Sequence, residues 1–180
     1  MKTLGEIVPV GPAHTVALTS FLQAVDGADQ TFLGANAAEP TVIERISRQI
    51  GGRHYVAQDR HRRVLGFSSV TIGTGWSSHV GQLRVVVDPP SRGSGLGTQL
   101  ALAALAGAHE SRLDKVTVEV RSDQQSVLNL FGRLGFRPEA LLADHLKAPD
   151  GATYDLLTLA HRVDEVGSLL VATGLAQVRG

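Results

Sequence analysis

The chain contains no cysteine among its 180 residues. This absence excludes a disulfide framework, a thiolate metal site and a cysteine nucleophile, so an acyl group could not be carried as a thioester on the protein. The seven histidines include no pair with the His-x-x-x-His spacing of helical zinc sites. We therefore expect no metal centre.

Net charge and long apolar runs are also lacking. The 17 basic and 17 acidic residues balance, which gives no general attraction for nucleic acid or an anionic membrane. No apolar run approaches the roughly 18 residues that span a bilayer, and the amino terminus lacks the apolar core of a secretory signal. We expect a cytoplasmic protein with no nucleic-acid or membrane partner, folded as a single domain over residues 1–180.

The predicted elements give an α+β fold class. Apolar periodicity and turn residues predict strands over 6–10, 54–58, 64–72, 83–87, 116–120, 136–147 and 153–161, and helices over 12–25, 96–111, 123–133 and 164–177. A further helix should begin at a Thr41 cap, with Glu44 in capping-box spacing, and end at Gly51-Gly52. Because a helix joins strand 83–87 to strand 116–120, these two should be parallel. We expect a mixed, mostly antiparallel central sheet with helices on both faces.

A glycine-rich turn precedes the helix predicted over 96–111. Residues 92–98 read Arg-Gly-Ser-Gly-Leu-Gly-Thr, and glycine at every second position lets the backbone approach a bulky anion closely. The unpaired N–H groups and the dipole at a helix start form an anion site. Arg92 adds a cation and Thr98 a hydroxyl group. The turn is therefore typical of a site that binds a coenzyme's pyrophosphate.

Two other phosphate-binding motifs share some features of this turn. A P-loop requires lysine after its last glycine, and Thr98 follows Gly97 instead. A dinucleotide fingerprint would fit Gly93 and Gly95, with Glu119 as its acid, but Thr98 holds the third glycine's position and residues 88–92 separate the turn from its strand. A purely structural helix entry also remains open.

Two segments resemble the GNAT acetyltransferase superfamily. Residues 87–100 are similar to its acetyl-coenzyme A motif, with Arg92, Gly95 and Gly97 in the fixed places. Residues 119–136 are similar to its strand-helix-Gly-Phe block. The Glu-Val-Arg opening of that block is closest to the branch that acetylates protein amino termini, including those of ribosomal proteins.

The resemblance implies a binding site for acetyl-coenzyme A within a motif core over residues 83–136. The pantetheine arm would lie between splayed parallel strands and pair with the backbone of Val85 and Val87. The implied coenzyme-binding residues are Val85, Val86, Val87, Arg92, Gly93, Ser94, Gly95, Leu96, Gly97, Thr98, Gln124 and Phe131. The acceptor would be a small-molecule amine or a peptide amino terminus, and a homodimer is possible because dimers are common in this fold.

The same resemblance implies direct attack of a neutral amine on the thioester, with Glu119 as the general base. Asp88 is a weaker alternative for that role. Phe131 stands where the family has a tyrosine that protonates the leaving thiolate, and Gln124 stands where asparagine is common. Phe131 therefore also motivates an alternative function, an acyl-coenzyme A-binding protein with little catalysis.

Four other residues have open roles in the sequence. Tyr154 or Tyr55 could replace the missing proton donor. Trp76 and His79 either line the acceptor site or belong to an ordinary surface turn.

Overall fold

A computed structural model describes residues 5–25, 36–148 and 150–165. These residues form seven strands and four α-helices. The strands are β1 (Glu6–Pro9), β2 (Gly52–Gln58), β3 (Val64–Ile72), β4 (Val80–Val87), β5 (Lys115–Arg121), β6 (Arg137–Lys147) and β7 (Thr153–Arg162). The helices are α1 (Thr15–Ala24), α2 (Pro40–Ser47), α3 (Leu96–Glu110) and α4 (Gln125–Arg133).

All seven strands lie in one sheet, in the order β1-β2-β3-β4-β5-β7-β6. β4 and β5 are parallel, and every other neighbouring pair is antiparallel. The crossover between β4 and β5 runs through α3, as the sequence predicted. Pro9 lies in the edge strand β1, where its missing N–H disturbs no second neighbour. The expected mixed, mostly antiparallel sheet is confirmed.

Helices cover both faces of this sheet, as predicted. On one face, the apolar sides of α1 and α2 pack on β2 and β3, with Leu18, Ile43 and Phe67 in the buried cluster. On the other face, α3 and α4 pack on β4, β5 and β7 in a larger cluster that contains Leu105 and Val118. No helix in the described ranges is both long and apolar enough to cross a membrane.

The start of α2 differs from the sequence prediction. The helix begins at Pro40 with Glu39 as N-cap, and no side chain caps it. The predicted Thr41 cap and its capping box with Glu44 are therefore wrong. Proline outcompetes them because its fixed φ suits the first helical position, where its missing N–H costs nothing.

The carboxyl-terminal helix predicted over 164–177 falls largely on residues that the structure does not describe. Val163–Glu165 form a short 3₁₀ turn, and the rest of that prediction lies outside the described residues.

Close packing of α3 on β3 positions the glycine-rich turn. The Ser68 hydroxyl donates a buried hydrogen bond of 2.9 Å to the Leu100 carbonyl. A Cβ at Gly66 would lie 2.7 Å from Cδ1 of Leu100, so glycine allows the helix to sit this close to the sheet. Leu96 and Leu100 are buried beside Ala57. The first turn of α3 is thus held against the end of β4.

Candidate active site

The parallel strands β4 and β5 separate part-way along their length. They pair from Val80↔Lys115 to Gln82↔Thr117 and no further. β4 nevertheless stays paired with β3 as far as Val87, and β5 stays paired with β7 as far as Arg121. Each strand follows its outer neighbour, so a V-shaped opening forms between them. This is the splay that the family resemblance implied.

The direction of the β4 backbone follows from its hydrogen bonds to β3. At one end the Val80 carbonyl accepts from Gly73 N at 2.9 Å, and at the other end Asp88 N donates to the Leu65 carbonyl at 2.8 Å. Backbone groups of successive residues in a strand point to opposite neighbours. The even-numbered residues of β4 therefore face β3, and the odd-numbered residues face β5.

Val85 and Val87 consequently direct their N–H and C=O groups into the opening, where a substitute strand could pair with them. Arg92 Nε already donates to the Val87 carbonyl at 3.0 Å. Val86 faces β3 instead, and its side chain is buried. Of the three valines predicted to bind the coenzyme, Val86 offers the opening no backbone group.

The glycine-rich turn has the backbone that an anion site needs. Gly93 and Gly95 have φ values of 73° and 88°, in the left-handed region that favours glycine. A Cβ at either position would meet no atom within 4 Å, so both glycines border open space. The Ser94 hydroxyl donates to the Ser91 carbonyl at 2.7 Å and is used within the turn.

The first turn of α3 presents its free N–H groups at this place. Gln99 N donates to Gly95 O at 3.2 Å, the first hydrogen bond of the helix. The amides of Leu96, Gly97 and Thr98 come before it, and the N-cap Gly95 has no side chain that could satisfy them. Together with the helix dipole they form an anion site.

Glu119 and Arg84 lie on the same sheet face, on opposite sides of the opening. The pair Gln82↔Thr117 continues in register to Arg84 and Glu119, where the strands have begun to separate. Burial lowers the pKa of Arg84, and the negative charge of Glu119 acts in the opposite direction. The two are therefore electrostatically coupled, although no ion pair joins them among the described residues.

Asp88, the alternative base, is already engaged. Arg63 Nη2 lies 2.8 Å from its carboxylate, at the end of the β2–β3 hairpin. Glu119 has no such partner among the described residues. This contrast favours Glu119 as the base.

The two tyrosines lie in different places. The Tyr55 hydroxyl is close to Gly107, near the carboxyl end of α3 and away from the glycine-rich turn at residues 92–98. Tyr154 stacks under Arg121, whose Cζ lies 4.2 Å from the ring centroid. Arg121 is on β5, on the same face as Glu119. The structure therefore keeps only Tyr154 near the opening.

Trp76 and His79 lie in the connection between β3 and β4. This connection meets the paired end of β4 and β5, where the His79 carbonyl accepts from the Asp114 amide at 2.9 Å. Trp76 is 99% exposed. The connection thus lies at the end of β4 opposite the glycine-rich turn. This position favours an ordinary surface turn over a place in the acceptor site.

Gln124 and Phe131 belong to α4. Gln124 is the N-cap residue, and its carbonyl accepts from the amides of Val127 and Leu128. Phe131 is 3% exposed and packs edge-to-face on Phe136 at 5.1 Å, so it contributes to the core. Contact of either side chain with a coenzyme stays a prediction.

The model of the Acetyltransferase (GNAT) family matches residues 25–136, more than half of the chain. The chain belongs to this family. The match includes the opening, the glycine-rich turn at residues 92–98 and α4. These features carry the resemblance seen in the sequence.

Two curated relatives that are named as acetyltransferases match part of the chain. Mycothiol acetyltransferase of Nocardia farcinica is 36% identical over 77 residues, which are 42% of this chain and 25% of that protein. N-alpha-acetyltransferase MAK3 of Arabidopsis thaliana is 34% identical over 85 residues, 47% of this chain and 45% of that protein. The matched stretch thus spans less than half of either relative.

Solved structures share the GNAT fold over most of the chain. Ribosomal-protein-alanine N-acetyltransferase from Brucella melitensis aligns with a TM-score of 0.72 at 20% identity, covering 87% of this chain and 98% of that one. Phosphinothricin acetyltransferase from Sinorhizobium meliloti, in complex with AcCoA, aligns with a TM-score of 0.74 at 16% identity, covering 91% and 90%. At these identities the likeness shows the fold alone.

Sequence reasoning missed a mainly apolar cavity with a few polar groups, on the face of the sheet that carries Glu119. Arg45 of α2, His54 of β2 and Arg84 of β4 line it together. They belong to separate elements with no shared motif, so no local pattern could have joined them. The one available signal was Arg84 itself, a charged residue inside the apolar run of β4.

Proposed function

We propose that this protein is an N-acetyltransferase that moves an acetyl group from acetyl-coenzyme A to a primary amine of a small molecule or a peptide amino terminus. The observation that carries the proposal is the opening between β4 and β5. The pyrophosphate turn borders one end of it, and Glu119 lies on its wall.

The residues of the opening fit acetyl-coenzyme A. The free amides of residues 96–98 and the cation of Arg92 suit a pyrophosphate, and Gly93 and Gly95 leave space for it. The backbone of Val85 and Val87 suits an extended arm that carries amide groups. When bound, the coenzyme supplies an activated acetyl thioester.

Glu119 accepts the proton that the amine loses as it attacks. Amines with a pKa of about 10 are mostly protonated at neutral pH, so a base at this position raises the reactive fraction. Backbone N–H groups in the opening stabilise the developing oxyanion, and holding both substrates together supplies much of the acceleration. Since the chain has no cysteine, we propose direct transfer in a ternary complex.

Release of free coenzyme A with a panel of amines tests this proposal. A thiol-reactive dye gives a clean signal because the protein itself contributes no thiol. We expect amine-dependent release above the rate of thioester hydrolysis without amine. Tight binding of acetyl-coenzyme A with no release for any amine would contradict the proposal.

That contradicting outcome would favour a second function, an acyl-coenzyme A-binding protein with little catalysis. The observation behind it is Phe131, which offers no proton where the resemblance places a tyrosine. The Phe131→Tyr variant discriminates the two. A large gain in release rate would mean that proton donation limits the native protein. An unchanged rate in an active enzyme would mean that the thiolate leaves with another donor or without one.

A further inference from the structure

A cavity of about 190 Å³ lies between α2 and the sheet, on the face that carries Glu119. Most of its wall is apolar and includes Phe67, and its polar groups come from Arg45, His54, Ser69, Thr71 and Arg84. The opening described above involves the backbone edge of β4, whereas this cavity involves side chains of α2, β2, β3 and β4. Arg84 joins the two, because it lines the cavity and is coupled to Glu119 across the opening.

Two guanidinium groups line the cavity, and no residue that the structure describes brings an acid to it. Among its lining residues no side chain is acidic, and no ion pair to Arg45 or Arg84 forms among the described residues. Arg45 is exposed, whereas Arg84 is partly buried and its pKa is lowered by that burial. Removing the Arg84 cation from water is costly unless an opposite charge compensates it. A carboxylate of a ligand would provide that charge and match the planar fork of arginine.

His54 provides an independent sign of a polar ligand. Its side chain is 5% exposed and stacks on Phe67 with ring centroids 6.3 Å apart. Neither ring nitrogen makes a hydrogen bond of standard geometry among the described residues, although the ring lies near enough to the Ile50 backbone to interact with it electrostatically. Burial, together with Arg45 and Arg53, lowers the pKa of His54 to about 4, and the backbone of Ile50 only partly offsets this. At neutral pH the ring is uncharged and offers one donor and one acceptor.

Resting on the proposed function, we infer that the acceptor is a small amino acid whose carboxylate binds between Arg84 and Arg45 while its amine faces Glu119. The amine and the carboxylate of an α-amino acid are separated by a single carbon. Arg84 and Glu119 stand across the opening from one another, so the two groups of such an acceptor match the two side chains. The small volume of the cavity suits a molecule of this size.

A peptide amino terminus lacks this feature because its α-carboxylate has become an amide. Matched pairs therefore test the inference: glycine, alanine, leucine, methionine and phenylalanine, each compared with its primary amide. We expect kcat/KM to be about 10- to 100-fold higher for the acid of the preferred pair, the range for charge-assisted hydrogen bonds. Intrinsic reactivity favours the amide, whose amine is less basic, so such a preference must come from the protein. Equal rates, or faster acetylation of the amides, would overturn the inference.

The Arg45→Gln variant tests whether the preference for acids over amides arises in this cavity. We expect it to reduce the acid-over-amide ratio about tenfold while acetyl-coenzyme A binding is unchanged. Arg48→Gln is the matched control at the C-cap of the same helix, because Arg48 is exposed like Arg45 but does not line the cavity and pairs with Glu44; it should keep the native ratio. A ratio that survives Arg45→Gln, or falls equally in Arg48→Gln, would overturn the assignment to this cavity.

Calorimetric binding of N-acetyl amino acids and N-acetyl amino amides to the coenzyme A-loaded protein separates the two proposals. Turnover of amines without preference for the acids would overturn the inference and leave the proposed function standing. Preferential binding of the N-acetyl amino acids without any turnover would contradict the proposed function and support the carboxylate site. Neither turnover nor binding would overturn both.

Discussion

The two sides of the candidate site are built in different ways. The coenzyme side consists mainly of backbone: the turn at residues 92–98, the first amides of α3 and the odd-numbered residues of β4. The proposed acceptor side consists of side chains from four elements: Glu119 of β5, together with Arg84, Arg45 and His54, which line the cavity. A backbone site tolerates most substitutions that keep the main-chain path, whereas each side chain on the acceptor side has a separate and replaceable role. Coenzyme binding and acceptor chemistry should therefore be separable by mutation.

The largest expected separation comes from Glu119→Gln. Loss of the general base should lower kcat by roughly 10²- to 10⁴-fold, while the Kd for acetyl-coenzyme A stays within about twofold because the pyrophosphate turn is untouched. Steady-state kinetics and calorimetry measure the two quantities. Glu139→Gln, on the exposed strand β6 and paired with Lys115, is the matched control and should keep the native kcat. Equal losses of kcat in both variants would mean that Glu119 is not the general base.

A second way to separate the two sides measures stability, and it involves only His54 on the proposed acceptor side. The pKa of His54 falls from its ordinary value of 6.5 to about 4 in the folded protein. As the pH drops below 6.5, the unfolded chain takes up this proton before the folded chain does, so stability decreases down to about pH 4 and no further. The loss amounts to about 3 kcal/mol.

Unfolding in urea at pH 7 and at pH 4.5 measures this loss. In His54→Leu the free energy of unfolding should depend less steeply on pH than in the native protein, because its unfolded state cannot take up the proton. Parallel pH profiles for the two proteins would show that another group controls the acid sensitivity.

The smallest expected effect comes from a glycine on the coenzyme side. Gly95→Ala places a Cβ on a backbone with φ of 88°, which costs about 1 kcal/mol of stability. The added methyl group also borders the anion site, so the Kd for acetyl-coenzyme A should rise about tenfold, as expected for one lost charge-assisted hydrogen bond.

Gly151→Ala is a control with the same strain in a different place. Gly151 has φ of 89° and an equally open Cβ direction, and it lies in the turn between β6 and β7. The Gly151→Ala variant should lose about as much stability as Gly95→Ala and keep the native Kd for acetyl-coenzyme A. If both variants bind acetyl-coenzyme A normally, the turn at residues 92–98 does not hold the pyrophosphate.

Local chemistry explains which parts of the molecule were predictable. The pyrophosphate turn lies within a few consecutive residues, and glycine spacing reports directly on its main-chain path. The parallel pair β4 and β5 follows from the helix that joins them, and the face of Glu119 follows from strand alternation. The start of α2 was not predictable from the Thr41 and Glu44 pattern alone, because Pro40 competed for the same position.

The acceptor side could not be predicted for a different reason. Arg45 and His54 become neighbours of Arg84 only when α2 packs on β2 and β3, which depends on apolar contacts such as those of Ile43 and Phe67. Balanced net charge also concealed the local excess of cations. A chain with no net charge can therefore place two arginines beside one cavity, and only the folded arrangement reveals it.

Titration of ¹⁵N-labelled protein with coenzyme A, followed by amide chemical shifts, tests the central claim most directly. We predict that the amides of Val85, Val87, Leu96, Gly97 and Thr98 shift together with one Kd, while those of Val86 and residues 74–79 stay near their starting positions. Shifts confined to other parts of the chain, or no saturable shift at residues 96–98, would contradict a coenzyme site at the opening between β4 and β5.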